Sequence, residues 1–199
     1  MFWSLVLTFA MLVLSGGDYV YRWTDAEGTV RVTNNLLSIP KHKRAGVTPM
    51  RVFTIESVEK TKTAGEGELA QNPVPVSFSE MGGGIVTSSL VNGVVRRDAI
   101  VDTGSEITVI TTKLAVALGY DIRNARVGRF KTPGGSLTAP VIKLDLVQVG
   151  PATVKNVSAV VFDFKGRGPV SAIIGMNFLS RFAFEIDYSN KQITFHPPQ

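Results

Sequence analysis

The sequence predicts a mainly β protein with short helices, one domain of ordinary size preceded by a small β-hairpin module. Three observations carry that prediction. Val, Ile and Thr recur in short alternating runs, the texture of half-buried strands. Nineteen glycines supply the tight turns that join such strands. Hydrophobic residues make up 44% of the 199 positions against 19% charged, enough for a real core and unlike a disordered chain.

The elements follow in order. Residues 1–17, "MFWSLVLTFAMLVLSGG", are apolar from Phe2 to Leu14 and end in small residues. That run is shorter than the ~20 residues of a spanning helix and matches the core of a signal peptide, with cleavage near Ser15-Gly16-Gly17. A membrane anchor is the alternative. The basic start of a signal peptide is missing, and Arg22, Arg31 and Lys41-His42-Lys43-Arg44 follow the segment, where the positive-inside tendency keeps charge in the cytoplasm.

Residues 18–59 form the hairpin module. In "DYVYRWTDAEGTVRVTNN" the aromatics Tyr19, Tyr21 and Trp23 alternate with Val20, Arg22 and Thr24, "DAEG" turns the chain, and "TVRVTN" returns. An isolated hairpin is marginal in water, so its aromatic face is expected to pack on something. The basic cluster after it, Lys41–Arg44, reads as a solvated loop, with contact to an anionic membrane or envelope surface as the alternative. Residues 60–74, "KTKTAGEGELAQNPV", are polar and without periodicity, which reads as a linker.

The main domain spans residues 75–199. "GIVTSSLV" and "VVRRDAIVD" flank Asn92-Gly93, the strongest short hairpin signal. Thr111 or Thr112 caps a short helix, "TKLAVAL", which Gly119 ends. "VGRFKTPGGSLTAPVI" is a second hairpin with Pro133-Gly134-Gly135 at its tip. "VIKLDLVQVG", "TVKNVSAVVFD" and "FEIDYSNKQITF" supply further strands. "AIIGMNFLSRF" reads as a buried strand end passing through Gly175 into a short helix.

Charge and composition exclude several functions. The net charge is +5, yet Lys and Arg are scattered and no basic stripe interleaves with aromatics, so no nucleic-acid partner is expected. Zero cysteines exclude disulfides, thiolate metal sites and cysteine nucleophiles. His42 and His196 lack ligand spacing, so neither a metal nor any other cofactor is expected.

One motif carries chemistry: "AIVDTGSEITVI", residues 99–110, where Asp102-Thr103-Gly104-Ser105 interrupts two hydrophobic runs. A bare Asp-Thr-Gly is weak evidence, because strands often end in turns containing Asp and Gly. Its context is stronger. A short helix, a glycine-tipped hairpin and then Ile173-Ile174-Gly175 before a second helix follow in order. Asp145 and Asp163 lack a following Thr/Ser-Gly and read as solvated strand positions.

This order resembles the single-domain, retroviral-type (retropepsin-like) aspartic proteases, particularly the bacterial ones, over roughly residues 84–196. The matching stretches are "VDTGSEITVIT", "LAVALGYD", "TPGGSLTAPVIKLDLVQVG", "NVSAVVF" and "AIIGMNFLSRF". In "YRWTDAEGTVRVTN" and "IPKHKR", residues 18–46 resemble a small module of unknown function that follows the signal peptide in many bacterial envelope proteins. The resemblances imply a closed, barrel-like fold and a location in the bacterial periplasm or cell envelope.

They also imply an aspartic endopeptidase acting on peptide or protein substrates. In that chemistry a water held between two carboxylates attacks the scissile carbonyl, one carboxylate acting as base while the other, protonated, polarises the carbonyl. Asp102 is the implied catalytic residue. Thr103 would interlock with the opposite loop, Gly104 would allow close approach of the two backbones, and Ser105 would donate a hydrogen bond to Asp102. Pro133, Gly134 and Gly135 would form a flap over the substrate. Ile173, Ile174 and Gly175 would support the loop from behind. Glu106 matches an acidic position of the viral enzymes, but Met176 replaces their bracing Arg. The chain has one Asp-Thr-Gly and no second, so activity requires a homodimer with the site on its two-fold axis. The rival readings are a non-catalytic dimeric peptide-binding or scaffold module of the envelope, and a cytoplasmic, membrane-anchored protease.

Overall fold

The computed structural model describes residues 19–51, 67–69, 73–82, 84–93, 95–132, 135–164 and 169–197. The apolar segment 1–17 lies outside them. The early strands are β1 (Tyr19–Thr24), β2 (Val30–Thr33), β3 (Thr48–Arg51), β4 (Gly67–Leu69), β5 (Val76–Ser77) and β6 (Ser79–Met81). Then come β7 (Gly84–Val91), β8 (Val95–Val101), β9 (Thr108–Ile110), helix α1 (Thr112–Ala117), β10 (Arg126–Thr132) and β11 (Gly135–Val149). The chain finishes with β12 (Ala152–Val161), β13 (Ala172–Ile174), helix α2 (Met176–Leu179), β14 (Ala183–Asp187) and β15 (Gln192–His196).

Nine strands form one sheet in the order β10-β11-β12-β9-β13-β8-β7-β6, with β4 added on β12. The fifteen-residue β11 closes it. Its first half pairs with β10, and at its far end Val147, Gln148 and Val149 pair with Val91, Leu90 and Ser89 of β7. The ring from β11 through β12, β9, β13 and β8 to β7 is therefore a closed barrel. Leu144, Val147, Val149, Val154 and Val157 turn inward and are fully buried, the alternation of β11 and β12 shifting phase at Asp145 and at Asn156 (φ 58°). Asn92 (φ 54°) and Gly93 (φ 66°) make the turn between β7 and β8 that their sequence demands. Thr111 accepts the Leu114 N–H at 3.2 Å to cap α1, and Gly119 at φ 83° stops it.

The second sheet runs β3-β1-β2-β14-β15-β5 and places the N-terminal hairpin beside the C-terminal strands. The N-terminal hairpin shares its sheet with the end of the chain. Its β2 pairs with β14 through Thr33, Val32 and Arg31 against Glu185, Ile186 and Asp187. Val20 and Val32 are buried in the same core as Ile186, Phe184 and Phe195. Val20 faces the core, while the aromatics Tyr19, Tyr21 and Trp23 are partly buried on the other side, outside the main core. Alternation allows only one face inside, and the β-branched pair of Val20 and Val32 fits beneath β14. Beside this hairpin Phe178, Phe182 and Phe195 pack with ring centroids 5.6–6.4 Å apart.

Arg31 ties the hairpin down. Its guanidinium bonds Asp25 at 2.8 Å, Glu185 at 2.5 Å and Asp187 at 3.0 Å, a bridge between the hairpin turn and β14. The Arg31 hydrogen bond, with the Thr29 and Glu27 N–H groups, holds the Asp25 carboxyl below its ordinary value. For Asp187, burial pushes upward, but the Asn190 amides and Arg31 outweigh it and the carboxyl also sits low.

Two further expectations change. Residues 67–69 of the presumed linker form β4, pairing with Ala152–Val154, and Gly67 lies so close to the Phe182 ring that a Cβ would come within 2.7 Å. Strand formation there follows from the unpaired edge of β12 beyond the end of β9. The basic cluster is a 3-10 turn, Lys41–Gly46, in which Arg44 donates to the Ile39 and Leu37 carbonyls at 2.8 and 2.9 Å rather than standing free in solvent. Ile39, fully buried beneath this segment, anchors it.

Candidate active site

The Asp-Thr-Gly loop joins β8 to β9, but those two strands do not pair with each other. β13 lies between them, parallel to β8 through Ala172, Ile173 and Ile174 against Ala99, Ile100 and Val101, and antiparallel to β9. A parallel insertion needs a long crossover, which is why the Ile173-Ile174-Gly175 motif sits some seventy positions after Asp102. The expected support role of these residues has a geometric form. The Asp102 N–H donates to the Ile174 carbonyl at 3.1 Å, and the Met176 and Asn177 N–H groups donate to the Ser105 and Glu106 carbonyls at 2.7 and 2.9 Å. Ile174 is buried in the main core, and Ile173 packs on a small cluster with Val86, Ile100 and Val170.

Gly175 is where the two segments cross. A Cβ there would lie 2.6 Å from the Ile107 carbonyl carbon, 2.7 Å from its oxygen and 2.8 Å from the Ser105 oxygen. Only glycine lets the segments approach this closely.

The carboxylate of Asp102 is partly exposed and held by its own loop: the Gly104 N–H donates to Oδ1 at 2.9 Å. A Cβ on Gly104 would approach that oxygen to 3.2 Å, so the glycine also keeps the carboxylate uncrowded. Ser105 does not donate to Asp102 as expected. Its hydroxyl donates to the Ile107 carbonyl at 2.8 Å, because the loop turns back on itself and offers a backbone acceptor two residues on. Asp102 and Thr103 open onto a cavity of about 230 Å³ walled by Ile85, Ile100, Ile186 and Tyr188. Burial pushes the Tyr188 phenol above its ordinary value, so it remains a hydroxyl able to donate.

Two contributors escaped the sequence reading. Thr108 is fully buried, and its N–H and hydroxyl both donate to Asn177 Oδ1 at 2.9 Å. The Asn177 amide nitrogen donates in turn to the Ser158 carbonyl at 2.7 Å, locking α2, β9 and β12 together behind the loop. A polar residue in the otherwise apolar "GMNFL" was the available signal. Asp163 also does more than sit in solvent, since its carboxylate accepts the Thr112 N–H at 2.8 Å at the start of α1. Asp145 is exposed, as read.

The glycine-tipped hairpin is β10 paired with β11 from Arg126↔Val141 to Thr132↔Gly135. Pro133 and Gly134 lie outside the described residues. Gly135 has φ 118°, a conformation closed to other residues, and its carbonyl accepts from the Thr132 hydroxyl at 2.9 Å. The base of the hairpin rests on the active-site loop, with Phe130, Ala139 and Val160 clustered against Ile107 and Val109.

A family model described as aspartyl protease matches residues 87–178, the stretch that holds the loop, the hairpin and the crossing glycine. The chain also resembles the crystal structure of a retropepsin-like aspartic protease from Rickettsia conorii, with a TM-score of 0.51 and 25% sequence identity, over 68% of this chain and 97% of that one. The chain carries a retropepsin-like domain. No curated protein matches it. Within the retropepsin-like domain the buried Met176 takes the place of the bracing Arg of the viral enzymes, one side chain among the apolar core.

Proposed function

We propose that the chain is an aspartic endopeptidase active as a homodimer, with one Asp102 from each protomer forming the catalytic pair. The observation that carries this reading is the single Asp-Thr-Gly, braced by the crossing at Gly175, whose carboxylate opens onto a walled cavity. One carboxylate cannot be base and acid together.

In the proposed reaction a water lies between the two carboxylates. The ionised one takes its proton as the oxygen attacks the peptide carbonyl carbon. The protonated one gives its proton to the carbonyl oxygen, forming a tetrahedral diol. Collapse breaks the C–N bond while a carboxyl proton passes to the leaving nitrogen. The substrate lies extended beneath the β10–β11 hairpin, apolar side chains entering the cavity beside Ile85 and Ile186. The signal-like segment supports a place in the bacterial envelope.

The test is cleavage of a peptide library by the full-length chain and by Asp102→Asn, over a dilution series. The proposal expects no cleavage by the variant, and wild-type activity per chain that falls as the dimer dissociates. Activity in the variant, or constant specific activity where sedimentation shows monomers, overturns it. Peptide binding by the wild type without turnover would instead identify a peptide-binding module.

A further inference from the structure

A second, larger cavity lies in the N-terminal hairpin. It encloses about 380 Å³ and is lined by Arg22, Trp23, Thr24, Lys43, Gly46 and Thr48. Arg22 and Trp23, on opposite faces of β1, and Lys43 all border it. Neither Arg22 nor Lys43 pairs with a carboxylate among the described residues, in contrast to Arg31 on the neighbouring strand, which holds three. Arg44, next to Lys43, is spent on backbone carbonyls, so Lys43 and Arg22 are the charges that face the cavity.

The backbone adds a third feature. The Asp25 N–H donates to the Thr29 carbonyl at 3.0 Å, which sets the alternation of the β1–β2 ladder. Tyr21 and Trp23 share that phase and bond toward β2. Arg22 and Thr24 point their N–H and C=O groups to the other side, toward β3. But β3 begins at Thr48, opposite Arg22. The strand edge at Thr24 is left uncovered where the cavity opens.

We propose that this notch is a binding site for an extended acidic peptide segment, with lining residues different from those of the cleft at Asp102. The peptide backbone extends β3's side of the sheet at Thr24, a Glu or Asp side chain lies between Lys43 and Arg22, and an apolar neighbour covers the Trp23 indole. An open strand edge recognises extended backbone. An acidic glycan or a nucleic acid would use the cations and the indole but not that edge. The net charge of +5 favours approach of an anionic partner.

The chain has two tryptophans, Trp3 and Trp23, so Trp3→Phe leaves Trp23 as the sole indole reporter. Full-length protein carrying Trp3→Phe and Asp102→Asn is titrated with the blocked pentapeptide Val-Thr-Glu-Val-Thr, its Gln analogue, an acidic glycan and an oligonucleotide. The expected result is a saturable change in Trp23 emission with the Glu peptide and a weakening of about two- to fivefold for the Gln analogue, the scale of one partly exposed ion pair. Lys43→Gln and Arg22→Gln, each with an unchanged melting temperature, should remove that discrimination. Equal affinities for the two peptides, insensitivity to both variants, or a response to the glycan or oligonucleotide without one to the Glu peptide overturns the proposal.

Discussion

Replacing Gly175 by Ala tests the crossing that holds the Asp-Thr-Gly loop. Its backbone, at φ −95° and ψ −176°, is open to any residue, so alanine carries no conformational strain and even gains up to about 1 kcal/mol by restricting the unfolded chain. The cost is steric. The new methyl meets three backbone atoms at 2.6, 2.7 and 2.8 Å, none of which can rotate away. Restoring ordinary contact requires the Ser105–Ile107 segment to retreat by roughly 0.6–0.8 Å. Overpacking of this kind costs about 3 kcal/mol, for a net loss of about 2 kcal/mol. In a chain of this size that is a fall in melting temperature of about 4–8 °C. The effect on activity should be larger than the stability loss implies, because misplacing a catalytic group by ~1 Å costs ~100-fold. Thermal unfolding followed by circular dichroism, with kcat measured well below the transition, separates the two. A variant with wild-type melting and full kcat would show that the loop does not depend on this contact.

Asn177→Ala should destabilise by about 2–4 kcal/mol, since it strands the buried Thr108 N–H and hydroxyl together. Chemical denaturation measures it, and a loss below about 0.5 kcal/mol would mean water replaces the amide. Ser105→Ala removes a bond to the Ile107 carbonyl, not to Asp102, so a loss of about 1 kcal/mol is expected with an unchanged pH–rate profile. A shifted acidic limb in paired profiles would restore a direct link to Asp102. The hairpin should loosen in acid. Asp25 and Asp187 both sit below their ordinary value of 3.8, so their contribution is complete above that value and is lost as pH falls through the lower folded-state values. Hydrogen-exchange protection at Val20 and Val32 should therefore fall below about pH 4 in the wild type, and Arg31→Leu should show low protection already at neutral pH. Equal protection at both pH values would refute the latch.

Much of the fold was legible because its signals are local. The φ-positive pair Asn92-Gly93, the Thr111 cap and the Gly119 stop depend on neighbours within a few residues, so the chain declares them wherever it folds. Asp102-Thr103-Gly104 was legible in the same way, its glycine N–H reaching back two residues to the carboxylate. Resemblance added the order of the later elements, which no periodicity states. Hydroxyl partners were not legible. Ser105 had Asp102 and the Ile107 carbonyl both within reach, and only the curl of the finished loop chose between them.

Long-range pairing also lay beyond the sequence. Alternation in β1 marks two faces but does not say which is buried. β14 decided it, because Val32 had to sit opposite Ile186 and Val20 followed on the same face. The same pairing brings Val20 and Val32 of the hairpin into the core and leaves Trp23 beside the notch. A polar stretch such as residues 67–69 carries no strand signal, yet the vacant edge of β12 draws it into register. The sequence by itself determined turns, caps and the Asp-Thr-Gly loop that holds the candidate carboxylate, which act over a few bonds. The tertiary structure decided which edges meet and which faces close, because those depend on surfaces that exist only once distant strands have come together.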